Sequence, residues 1–257
     1  MRRLSQVFLR DRTYVDRIIA EVSPQKGDIF LEVGPGQGTL TRPLLERGAI
    51  VIAVELDLAL VDDLRESLAP AAGERLNLVH GNYLRMPVEP LLPGKPARFI
   101  SNMPYHISTP ALEKLVEEAG FYRDAHLMLQ KEVAERIGAA PGTKEYGYTS
   151  VVVRLRYEPR MLFYLSPLAF SPMPRVTSVF LRLARKETDA PDRVILRASE
   201  LARLAFRFRR RALRNSLRPA LREKTPDVLE RAGVSPEKRA DQISPEEYLG
   251  IARASEH

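Results

Sequence analysis

The sequence predicts an α/β protein in which helices cover both faces of a parallel sheet, followed by a small all-α domain. From residue 29 onward, short apolar segments alternate with helical segments of about a dozen residues, which is typical of parallel α/β sheets. After residue 185 the chain becomes helical, basic and poor in strand-like segments. We therefore predict one domain over residues 1–185 and a second over residues 186–257.

The elements follow this order. Residues 29–33 predict a buried strand, 34–38 a glycine-rich turn and 39–47 an amphipathic helix. Further strands are predicted at "AIVIAVELD", "LNLVHGNYL" and "ARFISNMPY". Helices are predicted at "LALVDDLRESLAP", which should stop at Pro70, and at "STPALEKLVEEAG". The segment "DAHLMLQKEVAERIG" predicts a strand running into a helix, while "YTSVVVRLRYEPRMLFYL" and "TSVFLRLAR" predict late strands.

Composition excludes several classes of protein. The 257 residues include no cysteine, which excludes disulfides and cysteine-ligated zinc. The four histidines have no ligand-like spacing, so we predict no metal site. No apolar run reaches the ~18 residues that cross a bilayer. The N-terminal stretch also lacks the features of a secretory signal. We therefore expect a cytoplasmic protein without membrane association.

Positive charge is concentrated in one segment. Residues 201–224 hold nine basic residues and one acidic residue, a local charge of +8, whereas the whole chain carries +7. Such a run is often a solvated helix face, but so many like charges repel one another. A polyanionic partner relieves that repulsion, so the segment predicts contact with nucleic acid.

A glycine-rich turn and an acid indicate a nucleoside site. Gly34, Gly36 and Gly38 lie between a strand and a helix, where glycine permits positive φ and close approach of a ligand. Glu55 ends the next strand, a position at which acids bind a ribose diol. Together they predict an adenosine-containing ligand, with a ligand-free tight turn as the alternative. Asn82, after the third strand, either contacts an adenine edge or caps a turn.

The fourth strand ends in "NMPY". The Asn102 side-chain oxygen accepts one hydrogen of an exocyclic amino group. The Met103 carbonyl accepts the second, because Pro104 fixes the chain directly after it. Tyr105 supplies a flat face for stacking. A plain strand-to-loop exit is the alternative reading of this segment.

This arrangement suits methylation of adenine N6. That nitrogen is a poor nucleophile because its lone pair is delocalised into the ring. Two acceptors on its hydrogens localise the lone pair and stabilise the positive charge that develops as a sulfonium methyl group is transferred. No general base of unusual pKa is needed. A base inside a duplex cannot enter such a site, so the target adenine must be flipped or unpaired.

An ordered series of motifs identifies a family. "SQVFL", "LEVGPGQGTLT", "VELD", "NMPYHIST", "GTKEYGYTSV", "FSPMPRVTSVFLRL" and "AFRFRRRALRNSL" follow one another along nearly the whole chain. The chain thereby resembles the rRNA adenine N6-dimethyltransferases. The resemblance implies a Rossmann-like, S-adenosylmethionine-dependent methyltransferase domain with a helical, RNA-binding C-terminal domain. It also implies dimethylation of two adjacent adenosines near the 3′ end of small-subunit (16S) rRNA in the assembling 30S subunit. We expect a monomer.

The resemblance also assigns residues. Cofactor binding falls to Gln6, Val7, Leu9, Gly34, Gly36, Glu55, Leu56, Asn82, Tyr83 and Asn102. The predicted catalytic residues are Asn102, Met103, Pro104 and Tyr105, and the resemblance gives Asn102 and Tyr105 the target-base role. For the RNA backbone we predict Arg175, Arg207, Arg209, Arg210, Arg211 and Arg214.

Some positions depart from the family pattern or stay open. Ser5, Val7 and Met103 replace the residues usual in the family, with little expected effect. Asn82 replaces the usual aspartate, so cofactor affinity should be lower. The segment Phe170, Pro172, Pro174 and Arg175 either lines the base pocket or forms a simple loop. Phe206 and Phe208 are interpreted as core residues rather than base-stacking ones.

Three other functions stay open. A large-subunit rRNA methyltransferase of the macrolide-resistance type would use the same chemistry. A nicotinamide-dependent oxidoreductase would require G-x-G-x-x-G and a proton-relay residue, and the sequence has G-x-G-x-G instead. A non-catalytic assembly factor would not need Asn102 and Tyr105, whereas a dual role as enzyme and assembly factor is compatible with the sequence.

Overall fold

The computed structural model describes residues 7–92, 94 and 96–256. The strands are β1 (Phe8–Leu9), β2 (Ile29–Val33), β3 (Ile50–Glu55), β4 (Leu76–His80), β5 (Ala97–Asn102), β6 (Tyr122–Gln130), β7 (Tyr157–Leu165), β8 (Phe170–Ser171) and β9 (Ser178–Arg185). The helices are α1 (Arg12–Val22), α2 (Thr41–Glu46), α3 (Leu58–Ala72), α4 (Ser108–Glu117), α5 (Lys131–Gly138), α6 (Tyr148–Arg154), α7 (Asp192–Arg207), α8 (Leu213–Ser216), α9 (Arg218–Leu221), α10 (Thr225–Arg231) and α11 (Pro245–Ser255). Within the described ranges, no helix combines the length and the apolar character needed to span a bilayer.

Seven strands form one sheet in the order β4-β3-β2-β5-β6-β9-β7. The pairs from β4 to β6 are parallel, whereas β6 and β9 are antiparallel. The predicted α/β class is confirmed, with a sheet that is mostly rather than fully parallel. Strand order changes direction at β2, and the carboxyl ends of strands on either side of such a point enclose a crevice.

The sheet is anchored by an apolar core. Phe30 of β2, Ile100 of β5, Met128 of β6 and Phe180 of β9 are buried in one cluster with residues of α1 and α2. Burying each such side chain stabilises the fold by about 1.5–3 kcal/mol. The short strands β1 and β8 pair antiparallel as a separate ribbon, with Phe8 opposite Ser171 and Leu9 opposite Phe170. This ribbon brings the N-terminal segment beside the segment that precedes β9.

The chain divides into two compact units. The sheet unit contains the residues up to Ala134 together with Arg160–Arg185. The helical unit contains Glu135–Pro159 and Lys186–His257. One division falls after Arg185, and residues 135–159, which the sequence analysis groups with the first domain, lie in the helical unit. Their apolar side chains explain the difference, because Tyr146 and Val151 are buried in a cluster with residues of α7, α10 and α11.

Two element predictions are wrong. The first half of "YTSVVVRLRYEPRMLFYL" is helix α6, and strand β7 starts only at Tyr157. Its three valines are all buried, so packing overrides the β-propensity of branched residues. Helix α3 also continues past Pro70 to Ala72. Pro70 is exposed in the last turn, where the loss of one helical hydrogen bond is least costly.

His126 of β6 makes stability depend on pH. The side chain is fully buried, and neither ring nitrogen has a hydrogen-bond partner among the described residues. Burial lowers the pKa of His126 from 6.5 to about 4, although Asp124 nearby partly opposes the shift. The folded state therefore holds the ring neutral, while the unfolded chain takes up a proton below pH 6.5. The contribution of His126 to the free energy of unfolding is fully present above pH 6.5 and is lost as the pH falls towards 4.

We expect the free energy of unfolding to be about 2 kcal/mol lower at pH 5 than at pH 8 through this group. His126→Phe keeps the ring volume and should remove that part of the pH dependence. Urea denaturation at both pH values measures it, with the same change at the exposed His80 as the control. If both variants retain the wild-type slope, the dependence originates elsewhere.

Candidate active site

One cleft of about 720 Å³, including its open mouth, lies at the carboxyl ends of β2, β3 and β5. Most residues that the sequence assigns to the cofactor and the target base meet there. The lining residues are Val7, Phe8, Leu9, Glu32, Gly34, Pro35, Gly36, Thr39, Leu40, Glu55, Asn102, Met103, Pro104 and Tyr105. Sequence analysis did not find Phe8, Glu32, Thr39 or Leu40.

The glycine turn is shaped for close approach. Gly34 and Gly36 both have positive φ, 70° and 57°, in the left-handed region that favours glycine. A Cβ atom on Gly36 would lie 2.9 Å from the Phe8 ring. The turn therefore passes directly beneath the β1 segment, and only glycine fits there. The backbone N–H of Gly34 donates to the Val54 carbonyl at 2.9 Å, which fixes the turn against β3.

The Glu55 carboxylate is oriented by three backbone N–H groups. Leu56 and Asp57 donate to one oxygen at 2.8 and 3.0 Å. Gly36 donates to the other oxygen at 3.2 Å, which joins the acid to the glycine turn. Each carboxylate oxygen has further acceptor capacity. The buried carboxylate on the cleft wall therefore suits the two hydroxyl groups of a ribose.

A second acid, Glu32, lies in the same cleft. Its side chain is 2% exposed and accepts a hydrogen bond from the Thr41 hydroxyl at 2.7 Å. Burial raises the pKa of Glu32 to about 7, the Thr41 hydrogen bond opposes the shift, and the negative charge of Glu55 adds to it. In the sequence, Glu32 stands out only as a single acid in an otherwise apolar strand. A carboxyl group whose pKa lies near 7 on a cleft wall is a candidate for binding a charged ligand.

The amide of Asn102 has a defined orientation. Its Nδ2 donates to the Val7 carbonyl at 3.1 Å. That bond leaves Oδ1 as the end of the amide available to a ligand amine. The following residue is held by its backbone, because the Met103 N–H donates to the Met128 carbonyl at 3.2 Å while the Met103 side chain is buried. Met103 lines the cleft beside Asn102.

Tyr105 is fixed at its hydroxyl end. The phenol and the buried Ser178 hydroxyl share a hydrogen bond of 2.8 Å. Burial raises the pKa of Tyr105, so the phenol stays neutral at physiological pH. A neutral ring of fixed orientation on the cleft wall suits stacking on a planar base.

Several predicted cofactor residues lie elsewhere. Leu56 contributes a backbone N–H to Glu55, but its side chain is 48% exposed. Asn82 caps a short 3₁₀ turn by accepting the Leu84 N–H at 3.0 Å, which was the alternative role for this residue. Tyr83 is buried and donates to Glu118. None of these three described side chains lines the cleft, and Gln6 and Ser5 lie outside the described residues.

The predicted RNA-binding arginines of the helical unit differ in their partners. Arg209 and Arg214 form ion pairs with Asp241 and Glu237. Arg211 lies over the Phe208 ring, 4.7 Å from its centre. Arg207 and Arg210 are exposed, and neither has an ion-pair partner in the part of the chain that the structure describes.

Two aromatic residues belong to hydrophobic cores. Phe206 packs against the core of the helical unit, in agreement with the prediction. Phe170 is buried in the core of the sheet unit and does not line the cleft.

Comparison with known proteins identifies the family. The family described as "Ribosomal RNA adenine dimethylase" matches residues 1–256. The chain belongs to this family. The predicted enzyme class and the predicted cofactor, S-adenosylmethionine, are confirmed with it, and the oxidoreductase and the purely binding protein are excluded.

Individual known proteins resemble the chain over almost its full length. A protein named Ribosomal RNA small subunit methyltransferase A from Xylella fastidiosa is 39% identical, over 98% of this chain and 94% of its own. The crystal structure of a dimethyladenosine transferase from Plasmodium falciparum has a TM-score of 0.78 at 25% identity, with 95% of each chain covered. That of the 23S rRNA methyltransferase ErmE has a TM-score of 0.68 at 26% identity, with 97% of this chain and 100% of that chain covered.

Glu32 predicts a pH-dependent cofactor affinity in this adenine dimethylase. The cofactor carries positive charge, which an ionised Glu32 attracts and a protonated Glu32 does not. Because the pKa of Glu32 is about 7, the carboxyl gains its charge between pH 6 and 8. We expect affinity to rise roughly three- to ten-fold from pH 6 to 7.5. Glu32→Gln should flatten the dependence in calorimetric titrations. Identical pH profiles for the two proteins would contradict a role for this carboxyl.

Proposed function

We propose that this chain transfers methyl groups from S-adenosylmethionine to N6 of two adjacent adenosines near the 3′ end of 16S rRNA. The substrate is the 30S subunit during assembly in the cytoplasm, and the enzyme acts as a monomer. One observation carries the proposal: Asn102, its Nδ2 held by the Val7 carbonyl, shares a cleft with Glu55 and the glycine turn. Relatives named for the small subunit are 37–39% identical, against 26% for the 23S rRNA enzyme.

Four groups bind and orient the reactants. When bound, the cofactor supplies an electrophilic methyl group. Glu55 holds the ribose hydroxyls, and the glycine turn allows the ligand to approach the backbone. At the other end of the cleft, Asn102 Oδ1 and the Met103 carbonyl accept the two hydrogens of the adenine amine. These acceptors localise the nitrogen lone pair and stabilise the positive charge that develops on the nitrogen during transfer. The methylated nitrogen then releases one proton to water, which leaves the neutral monomethylated amine.

The second methylation differs from the first in one respect. A monomethylated amine has one hydrogen left, so one of the two acceptors loses its hydrogen bond. Such a bond contributes about 0.5–1.5 kcal/mol, so the site binds the monomethylated base more weakly than the unmethylated one. The loss is too small to prevent the second transfer. Pro104 and Tyr105 then hold the base mainly through its ring face.

The helical unit supplies contacts with the RNA backbone. Arg207 and Arg210 are exposed and carry no competing ion pair among the described residues, so their charge is available to phosphates. Arg209 and Arg214 must exchange an internal acid for a phosphate, and their contribution is smaller for that reason.

Transfer of label tests the proposal. Purified 30S subunits lacking these methyl groups are incubated with labelled S-adenosylmethionine, and the rRNA is digested to nucleosides. We expect label in dimethyladenosine from 16S rRNA. Label confined to 23S rRNA in a parallel incubation with 50S subunits would move the assignment to the large subunit. No label in either would remove the proposed substrate class.

A further inference from the structure

Exposed apolar side chains cluster in one stretch of the sheet unit. Of the eight large hydrophobic residues exposed in the described chain, five lie between residues 161 and 176. Leu168 is 82% exposed and Met173 is 63% exposed, the two highest values among them. Clustered apolar exposure of this kind marks contact surfaces more often than isolated surface residues do.

The part of this stretch from residue 168 onward is anchored to the cleft at both ends. We call residues 168–177 the rim segment. At its start, Phe170 and Ser171 pair with Leu9 and Phe8, two residues of the cleft wall. Directly after its end, the Ser178 hydroxyl bonds to the phenol of Tyr105, the predicted base-stacking residue. The rim segment therefore runs from the wall formed by β1 to the target-base end of the cleft.

Positive charge accompanies the apolar side chains. Arg175 lies within the rim segment and is exposed. Arg10 is also exposed, and its backbone N–H donates to the Ala169 carbonyl at 2.8 Å, which fixes its backbone at the residue that follows Leu168. Neither arginine forms an ion pair with any described acid. The neighbouring Asp11 uses its side chain to cap α1, where it accepts the Thr13 N–H.

We propose that the rim segment binds the unpaired nucleotides adjacent to the target adenosine. Leu168 and Met173 contact base faces, while Arg10 and Arg175 contact phosphates. A target base that enters the cleft must be unstacked, which exposes the faces of its neighbours at the mouth. Apolar groups beside unpaired cations match the two chemistries of single-stranded RNA, a flat base and a charged backbone. The inference rests on the proposed function and names a substrate contact of the same site.

Steady-state kinetics on 30S subunits test the contact. For Leu168→Ser combined with Met173→Ser, we expect KM for the subunit to rise about ten-fold. The value of kcat, the cofactor dissociation constant and the unfolding midpoint should stay close to wild type. Leu196→Ser, a 41% exposed leucine on α7, is the matched control and should change none of these. An unchanged KM in the double variant overturns the rim inference, whereas absence of methylation by wild type overturns the proposed function instead.

Crosslinking identifies the occupant. Because the chain has no cysteine, Met173→Cys creates one unique site for a photoactivatable aryl azide. We expect crosslinks to 16S rRNA at nucleotides next to the methylated adenosines. Crosslinks only to a ribosomal protein, or to a second copy of this chain, would overturn the assignment to RNA. Arg10→Gln and Arg175→Gln should each lower the slope of log affinity against log salt by about one, and an unchanged slope would remove the phosphate contacts.

Discussion

Replacing Asn102 with alanine is expected to reduce methyl transfer about a thousand-fold while cofactor binding stays largely intact. The substitution removes the side-chain oxygen that accepts a hydrogen of the adenine amine. It leaves the glycine turn and the Glu55 carboxylate, which are fixed by their own backbone hydrogen bonds. Single-turnover transfer to 30S subunits measures the first quantity, and calorimetric titration with S-adenosylmethionine measures the second.

The neighbouring residue provides a matched control. Met103→Leu changes a buried side chain by a volume-conserving swap and keeps the backbone carbonyl, so transfer should stay within about two- to three-fold of wild type. If Asn102→Ala weakens cofactor binding as much as it slows transfer, the residue is structural. In that case the bond from Nδ2 to the Val7 carbonyl is its main contribution.

Replacing Glu55 with alanine is expected to weaken cofactor binding about a hundred-fold or more, because hydrogen bonds to a charged acceptor contribute about 1.5–3 kcal/mol each. The variant also leaves the Gly36, Leu56 and Asp57 N–H groups without their acceptor, so these backbone segments are no longer tied together. Titration calorimetry gives the dissociation constant. At saturating cofactor, kcat should return towards the wild-type value, because Glu55 acts on binding and not on the amine.

Two further variants separate charge from geometry at this position. Glu55→Gln keeps one side-chain oxygen and should have an intermediate dissociation constant. Asp57→Asn removes a nearby charge but keeps the oxygen that caps α3, so affinity should change less than about three-fold. A loss in Asp57→Asn equal to that in Glu55→Ala would show that general electrostatics, and not the ribose contact, decides the affinity.

Glu32 and helix α6 show where local pattern is insufficient. Glu32 differs from any other acid in a strand only through what surrounds it, namely its burial, Thr41 and the charge of Glu55. The valines of "YTSVVVR" favour a strand locally, yet Val151 packs into the helical core together with Tyr146. Burial and charge coupling are sums over residues distant in sequence, and no short window contains them.

The sequence by itself determined the alternation of strands and helices and the glycine turn. It also determined that Glu55 ends one strand and that "NMPY" stands at the end of another. These features depend on local physics: φ angles open to glycine, the φ that proline imposes, and polar groups placed at strand ends. Only the tertiary structure decided that residues 135–159 join the helical unit and that the Val7 carbonyl orients the Asn102 amide. Those outcomes depend on contacts between residues far apart along the chain, whose free energies exist only once the sheet and the helical core have formed.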